Sequence, residues 1–187
     1  METNLLEGKL VRLVTEDPET IAKYLSRWAR NSEYWRLLSS DPARLRSTKS
    51  IKEWIEKEIE KEQPGFFLFL IRTLTDDRLI GDIGLGGINW VQGEAFVGIG
   101  LGEREDWGKG YGTDAMRIML GYAFMELNLY RVSLNFFEFN PRALRSYEKS
   151  GFSIEGRERK FLNREGRRWD LIWMGILREE WEKSRLD

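Results

Sequence analysis

The sequence contains no cysteine and no histidine. Without cysteine there is no disulfide scaffold and no iron–sulfur cluster. Without either residue there is no Cys/His zinc site and no Ser-His-Asp or Cys-His catalysis. Any general acid or base must be Asp, Glu, Tyr or Lys, or a substrate group reached through water. A carboxylate-only Mg²⁺ or Ca²⁺ site is the one metal chemistry left open, and no metal is expected. An excess of one charge is missing too. The 30 Lys and Arg nearly balance 31 Asp and Glu, for a net charge of −1, so no direct nucleic-acid partner is expected. Long apolar runs are absent: the longest, Phe66 to Ile71, falls far short of the roughly 20 residues of a membrane helix. The polar start, Met1 to Asn4, lacks a signal-peptide h-region. The expectation is a soluble, cytoplasmic protein with no membrane partner. Its 187 residues read as one domain, 1–187.

Proline is scarce, at 4 residues, and each falls at an element boundary. Gly8 to Val14 alternates as a first strand. Asp17-Pro18 starts a helix running to about Arg30, with Ile21, Tyr24, Leu25 and Trp28 on one face. A short helical or irregular piece carries Tyr34, Trp35 and Leu38, and Asp41-Pro42 breaks it. Ser50 with Glu53 reads as a capping box for a helix with Ile51, Trp54, Ile55 and Ile59 on one face, ended by Gln63-Pro64-Gly65. A meander of three strands follows, over 66–73, 79–90 and 94–101. Met116, Met119, Leu120, Ala123 and Leu127 mark an amphipathic helix, and 131–139 alternates as a strand. Asn140-Pro141 opens a short helix that Gly151 closes. Residues 152–159 and 168–177 read as a closing strand pair, joined through Asn163 to Gly166. The strand–helix–strand stretch 94–139 places a parallel step in an otherwise antiparallel sheet. The class is α+β.

The sharpest motif is Trp107-Gly108-Lys109-Gly110-Tyr111-Gly112-Thr113, between a strand and a helix. Alternate glycines let backbone N–H groups turn inward, and a helix N-terminus favours an anion such as phosphate. The spacing fits neither the dinucleotide fingerprint nor the P-loop. One strand later come Asn140-Pro141-Arg142-Ala143-Leu144-Arg145-Ser146-Tyr147 and then Gly151-Phe152.

Together these motifs resemble the GNAT family of acetyl-CoA-dependent N-acetyltransferases, whose pyrophosphate loop reads (Gln/Arg)-x-x-Gly-x-(Gly/Ala). Gly110 and Gly112 match the loop glycines; Asn140, Tyr147, Gly151 and Phe152 match the later segment. Trp107 stands where the family has Gln or Arg. The Trp-Gly-Lys-Gly-Tyr form resembles the branch that acetylates ribosomal-protein N-termini, as does the ending from Gly156 to Glu180. That branch also includes polyamine and antibiotic acetyltransferases.

The resemblance implies a GNAT fold: a twisted, mixed, mostly antiparallel sheet with helices on both faces. It implies acetyl-CoA as co-substrate, contacted by Ile99, Gly100 and Leu101 of the strand before the loop, by loop residues Trp107, Gly108, Lys109, Gly110, Tyr111, Gly112 and Thr113, and by Asn140. Asn140 also reads as an N-cap, and Lys109 as a solvated side chain. Tyr147 matches the family's general acid, which protonates the departing thiolate. Some members carry a basic Glu twelve residues before that Tyr, where this chain has Asn135. Asp82 is taken as the base, with Glu94 and Glu138 as alternatives. Trp35 and Glu94 are candidate acceptor contacts, and Trp28 and Tyr34 belong to the same region. Core packing is the competing reading for each aromatic, Tyr147 included.

The expected reaction is direct acetyl transfer to a primary amine, since no cysteine is available for an acetyl-enzyme. The expected acceptor is a protein or peptide α-amine. The alternatives are a polyamine or aminoglycoside acceptor, or a catalytically silent acyl-CoA-binding protein. A homodimer is compatible with all of them.

Overall fold

A computed structural model describes residues 4–59 and 65–185. Seven strands form one sheet: β1 Val11–Val14, β2 Phe66–Thr73, β3 Leu79–Asn89, β4 Glu94–Leu101, β5 Arg131–Phe137, β6 Ser153–Arg164 and β7 Arg167–Leu177. Their order across the sheet is β1-β2-β3-β4-β5-β7-β6. Every pairing is antiparallel except β4 with β5. The helices are α1 Pro18–Trp28, α2 Ser32–Leu38, α3 Thr48–Ile59, α4 Tyr111–Gly121, α5 Pro141–Lys149 and α6 Arg178–Ser184. A short 3₁₀ turn, Arg104–Asp106, precedes the glycine loop, and a π turn, Tyr122–Glu126, follows α4.

The sheet is packed on both faces. On one, Val97 of β4, Ile83 and Leu85 of β3, and Leu134 and Phe136 of β5 meet Met116, Met119 and Leu120 of α4. On the other, Ile21, Ala22 and Trp28 of α1, Tyr34 of α2, and Ile51 and Ile55 of α3 close over Leu70 of β2. The apolar spacings in α1, α3 and α4 each end on one of these faces, as an amphipathic period requires. Asp17 caps α1, its carboxylate accepting from the Thr20 amide at 3.0 Å. Asn140 caps α5, accepting from the Ala143 amide at 3.2 Å. Gly151, at φ +96°, follows α5 as its left-handed C′ residue.

Several boundaries differ from expectation, each for a local reason. The first strand begins at Val11 rather than Gly8, because the amides of Lys9, Leu10 and Val11 all turn to the Asp114 carboxylate. Helix α3 begins at Thr48, capped by Ser47, whose Oγ accepts from the Ser50 amide; Ser50 is therefore inside the helix. The expected stop at Gln63-Pro64 lies outside the described residues. The helix through Leu127 breaks into a π turn, where the Leu127 amide reaches the Tyr122 carbonyl. Arg178 fixes the exit by donating to the Phe124 and Leu129 carbonyls. Helix α6 was not legible in the apolar pattern, since Trp181 is its one large apolar residue. The tip of the β6–β7 hairpin reaches back across the molecule: Arg164 donates to the carbonyls of Arg36 and Ser39 at the C-terminal end of α2.

Asp114 ties the N-terminal segment to the first turns of α4, beside the glycine loop. Its carboxylate accepts three backbone N–H bonds at 3.2, 2.7 and 3.0 Å, and a Cβ on Gly8 would lie 2.5 Å from it. Removing it leaves three backbone donors without their acceptor, the buried Val11 amide among them, at about 1–3 kcal/mol for a charged partner lost. Urea unfolding at pH 7 is expected to show Asp114→Ala less stable than wild type by about 3 kcal/mol. Asp114→Asn, which keeps one acceptor oxygen, is expected to lose roughly half as much.

Candidate active site

Strands β4 and β5 pair in parallel only through Glu94–Arg131, Ala95–Val132 and Phe96–Ser133. Beyond that they diverge. β4 continues to Leu101 bonded to β3, and β5 continues to Phe137 bonded to β7. A cleft of about 330 Å³ opens along the diverging end of β4 and is lined by Ile99, Gly100 and Leu101. One wall is the glycine loop with the start of α4, contributing Trp107, Gly108, Gly110, Gly112 and Thr113. The opposite wall is α5, and Tyr34, Leu37 and Leu38 of α2 border the cleft.

The loop has the geometry its glycines suggest. Gly108 and Gly110 are left-handed, at φ +76° and +91°. The second turns the chain into α4, whose first amides have no acceptor within the helix. Gly112 is different: its backbone is ordinary, and a Cβ there would meet Ile99 and Leu101 at 3.8 Å and Ser146 at 3.9 Å. Its missing side chain keeps the cleft floor open. Trp107 anchors the loop by donating from Nε1 to the Leu101 carbonyl at 2.8 Å. Arg142 of α5 lays its guanidinium 3.8 Å over the Trp107 ring. Thr113 and Ser146 join the two walls with a hydroxyl–hydroxyl bond of 2.9 Å.

The lining carries Arg142, Arg145 and Lys149 and, among the described residues, no carboxylate. Arg142 is half-buried without a hydrogen-bond partner among the described residues, and burial pulls its pKa down. Such a surface suits a polyanion. These three basic residues were not foreseen as contacts. Their spacing of three and four along α5 is the signal that could have found them.

Tyr147 also lines the cleft, its ring held edge-on between Phe136 and Phe152. The ring is thus packed, as the core reading expects, while the residue still borders the cleft. Burial pushes its pKa up to about 12, so it is a proton donor at neutral pH. Asp82 does not line the cleft. It sits on β3 opposite Gly100 and accepts a hydrogen bond from the Tyr34 hydroxyl at 2.8 Å. Burial raises its pKa to about 6, against the opposing effect of that bond.

Besides Asp82, several other expected site residues are not brought into the cleft. Lys109 is exposed at the loop crest, and the Tyr111 ring packs against the core. Trp35 points elsewhere, because neighbours on a helix diverge by about 100° and Tyr34 takes the inward position; its indole nitrogen is buried without a partner. Glu94 lies at the opposite end of β4, beside Arg131, roughly 20 Å from Gly100 at about 3.3 Å per residue. Glu138 is occupied, accepting from the Asp170 amide and pairing with Arg157.

Two outcomes are expected from this geometry. Gly112→Val fills the cleft without a left-handed residue to strain. Calorimetric titration is expected to show acetyl-CoA affinity lower by at least ten-fold, with the melting temperature held within a few degrees. A Gly110 substitution would confound the two effects, because its φ disfavours any side chain. The second outcome concerns Asp82, whose folded pKa lies above its ordinary 3.8. The stability from its protonated form is complete below about pH 4 and is lost as pH rises through about 6. Asp82→Asn is therefore expected to stabilise the protein at pH 8, by about 1–3 kcal/mol after allowing for partial solvent contact. In thermal melts that gain should disappear near pH 4.

Comparison with known proteins agrees with the architecture. The family model for the acetyltransferase (GNAT) domain matches residues 9–153. A Bacillus subtilis protein named "SPbeta prophage-derived uncharacterized N-acetyltransferase YokL" is 31% identical over 138 residues, 73% of this chain and 75% of that protein. A second Bacillus subtilis protein, named "Putative ribosomal N-acetyltransferase YdaF", is 28% identical over 92% of both chains. The crystal structure of spermidine N-acetyltransferase from Vibrio cholerae, in complex with CoA and spermine, superposes with a TM-score of 0.74 at 25% identity. It covers 92% of this chain and 96% of that one. A cleft between diverging strands, walled by a glycine loop and a basic helix, thus coincides with a family match over most of the sequence: the chain belongs to the GNAT acetyltransferases and is an acetyl-CoA-dependent N-acetyltransferase.

Proposed function

We propose that the acceptor is a primary α-amine at the N-terminus of a peptide or protein, of the ribosomal-protein type, and that acetyl passes to it directly. The observation that carries this reading is the placement of charge. The cleft presents Arg142, Arg145 and Lys149 and, among the described residues, no carboxylate, so no side chain lining it offers the counter-charge that a polyamine calls for. Asp82, one side chain behind the cleft, is a weak base, with a pKa of about 6. An α-amine of pKa near 8 is uphill of it by about two units; a lysine or polyamine amine near 10.4 is uphill by about four. That difference is worth roughly a hundred-fold in the population of attacking amine.

In this reading the amine nitrogen attacks the thioester carbonyl. Asp82 has already taken one proton from the ammonium to leave that neutral amine; as the carbon–sulfur bond breaks, Tyr147 protonates the departing thiolate and recovers a proton from the attacking nitrogen. Backbone donors on the free edge of β4 are placed to stabilise the carbonyl oxygen as it becomes an anion. Asn140 holds the first turn of α5 by its cap and lines the same cleft. The basic wall and the loop amides take the phosphates of the co-substrate.

The similarity to a spermidine N-acetyltransferase supports a second reading, a polyamine acceptor. Comparison of kcat/KM for an N-terminal peptide, an N-terminally blocked lysine peptide and spermidine between pH 6 and 9 separates the two. The expected order at pH 7 is α-amine first, by at least ten-fold. Spermidine ahead at every pH would establish the polyamine reading.

A further inference from the structure

Asp82 and the cleft are separated by one side chain. Tyr34 is buried on the first turn of α2 and lines the cleft beside Ile99, Gly100 and Leu101. Its hydroxyl donates to Asp82 Oδ1 at 2.8 Å. The hydroxyl lies directly on the β4 backbone: a Cβ on Gly100 would come within 2.5 Å of Tyr34 Oη. Its position is fixed from three sides. Gly100 leaves the space, Asp82 is the cross-strand partner of Gly100, and the Trp28 ring packs on the tyrosine at 6.4 Å between centroids. Trp28 in turn occupies the space over Gly102, where any Cβ would clash with its indole. Leu70 of β2, Gly100 of β4 and Trp28 of α1 surround the pair, and none of them ionises. Among the described residues, Tyr34 is the one titratable group acting on Asp82.

Taking the direct transfer proposed above as its basis, we infer that Tyr34 is the proton carrier between the acceptor amine and Asp82. The acceptor ammonium gives a proton to Tyr34 Oη while the existing hydroxyl proton passes to Asp82 Oδ1. One N–H bond and one O–H bond break, and two O–H bonds form. A positive ammonium and a negative carboxylate become a neutral amine, a neutral tyrosine and a neutral carboxylic acid. No tyrosinate is formed, which matters because burial and the Asp82 charge hold the Tyr34 pKa well above its ordinary value. Removing two charges together lessens the uphill cost of the transfer where neither is well hydrated. The aligned Tyr34–Asp82 bond supplies the path, and the site needs no histidine.

The test compares wild type, Tyr34→Phe and Asp82→Asn with a peptide α-amine from pH 6 to 10. Acetyl-CoA affinity, measured by titration calorimetry, serves as the control for an intact cleft. Both variants are expected to bind acetyl-CoA within about two-fold of wild type. Both are expected to lose about 10²–10⁴-fold in kcat/KM at pH 7, the range of one acid–base group. Both should recover toward wild type as pH passes the amine pKa, because an amine that is already neutral needs no carrier. An acceptor amine of low pKa should restore rate in the same way at pH 7. The inference is overturned if Tyr34→Phe keeps the wild-type rate at pH 7 while Asp82→Asn loses it, since Asp82 then acts directly. It is also overturned if the loss in Tyr34→Phe persists undiminished to pH 10, since the ring then only positions. Wild-type protein that acetylates spermidine and no α-amine would instead refute the acceptor proposed above and leave the relay to be read with spermidine in the same three proteins.

Discussion

The parallel pairing of β4 with β5 ends after Phe96 and Ser133, although both strands continue. Each stays bonded to its other neighbour, so the sheet does not fray there; it opens. The facing edges retain backbone donors and acceptors that ordinary sheets satisfy with the next strand. Here they border a cleft, and a co-substrate arm with amides of its own is the chemistry such edges accept. The glycine loop and α5 take their places around this opening. Trp107 fastens the loop to Leu101 at the last residue of β4, and Thr113 with Ser146 closes the floor. Without the divergence, these walls would have nothing to enclose.

Charge is divided along the same cleft. The basic side chains of α5 line it, and the carboxylate of Asp82 stands one layer behind, screened by Tyr34. A carboxylate beside three cations would be held ionised and made a poorer base. Placed among apolar neighbours it is a better one, at a cost in stability. Tyr147 stays protonated for another reason: burial in its aromatic collar raises its pKa against the opposing charge of Arg142. A region without histidine thus holds one group that titrates near 6 and another near 12, with burial as the main cause of both shifts.

Much of this was legible in the sequence, for identifiable reasons. The meander 66–101 was readable because turn residues separate runs of strand period. The loop, Asn140 and Tyr147 were readable because their spacing is fixed by one strand and one helix turn. Asp82 was readable as a candidate, since a carboxylate in a glycine-rich strand has little local justification. What sequence left hidden is tertiary. Nothing local indicates that Asp114 binds residues 9–11 more than a hundred positions earlier. Nothing local separates Tyr34 from Trp35; the choice is made by the space over Gly100. Glu94 shares a strand with Gly100, but a strand is long, and the two sit towards opposite ends of it. Helix α6 lacks an apolar stripe and owes its place to Trp181 packing on Phe124.

The clasp between the hairpin tip and α2 ties distant parts of the chain. Arg164 holds the carbonyls of Arg36 and Ser39 across sequence separations of 128 and 125 residues. Helix α2, which carries Tyr34, is thus finished by a residue translated more than a hundred positions after it. Until that residue has been made, the last carbonyls of α2 lack their partner, so the seat of Tyr34 over Gly100 depends on a part of the chain that its own neighbourhood does not contain.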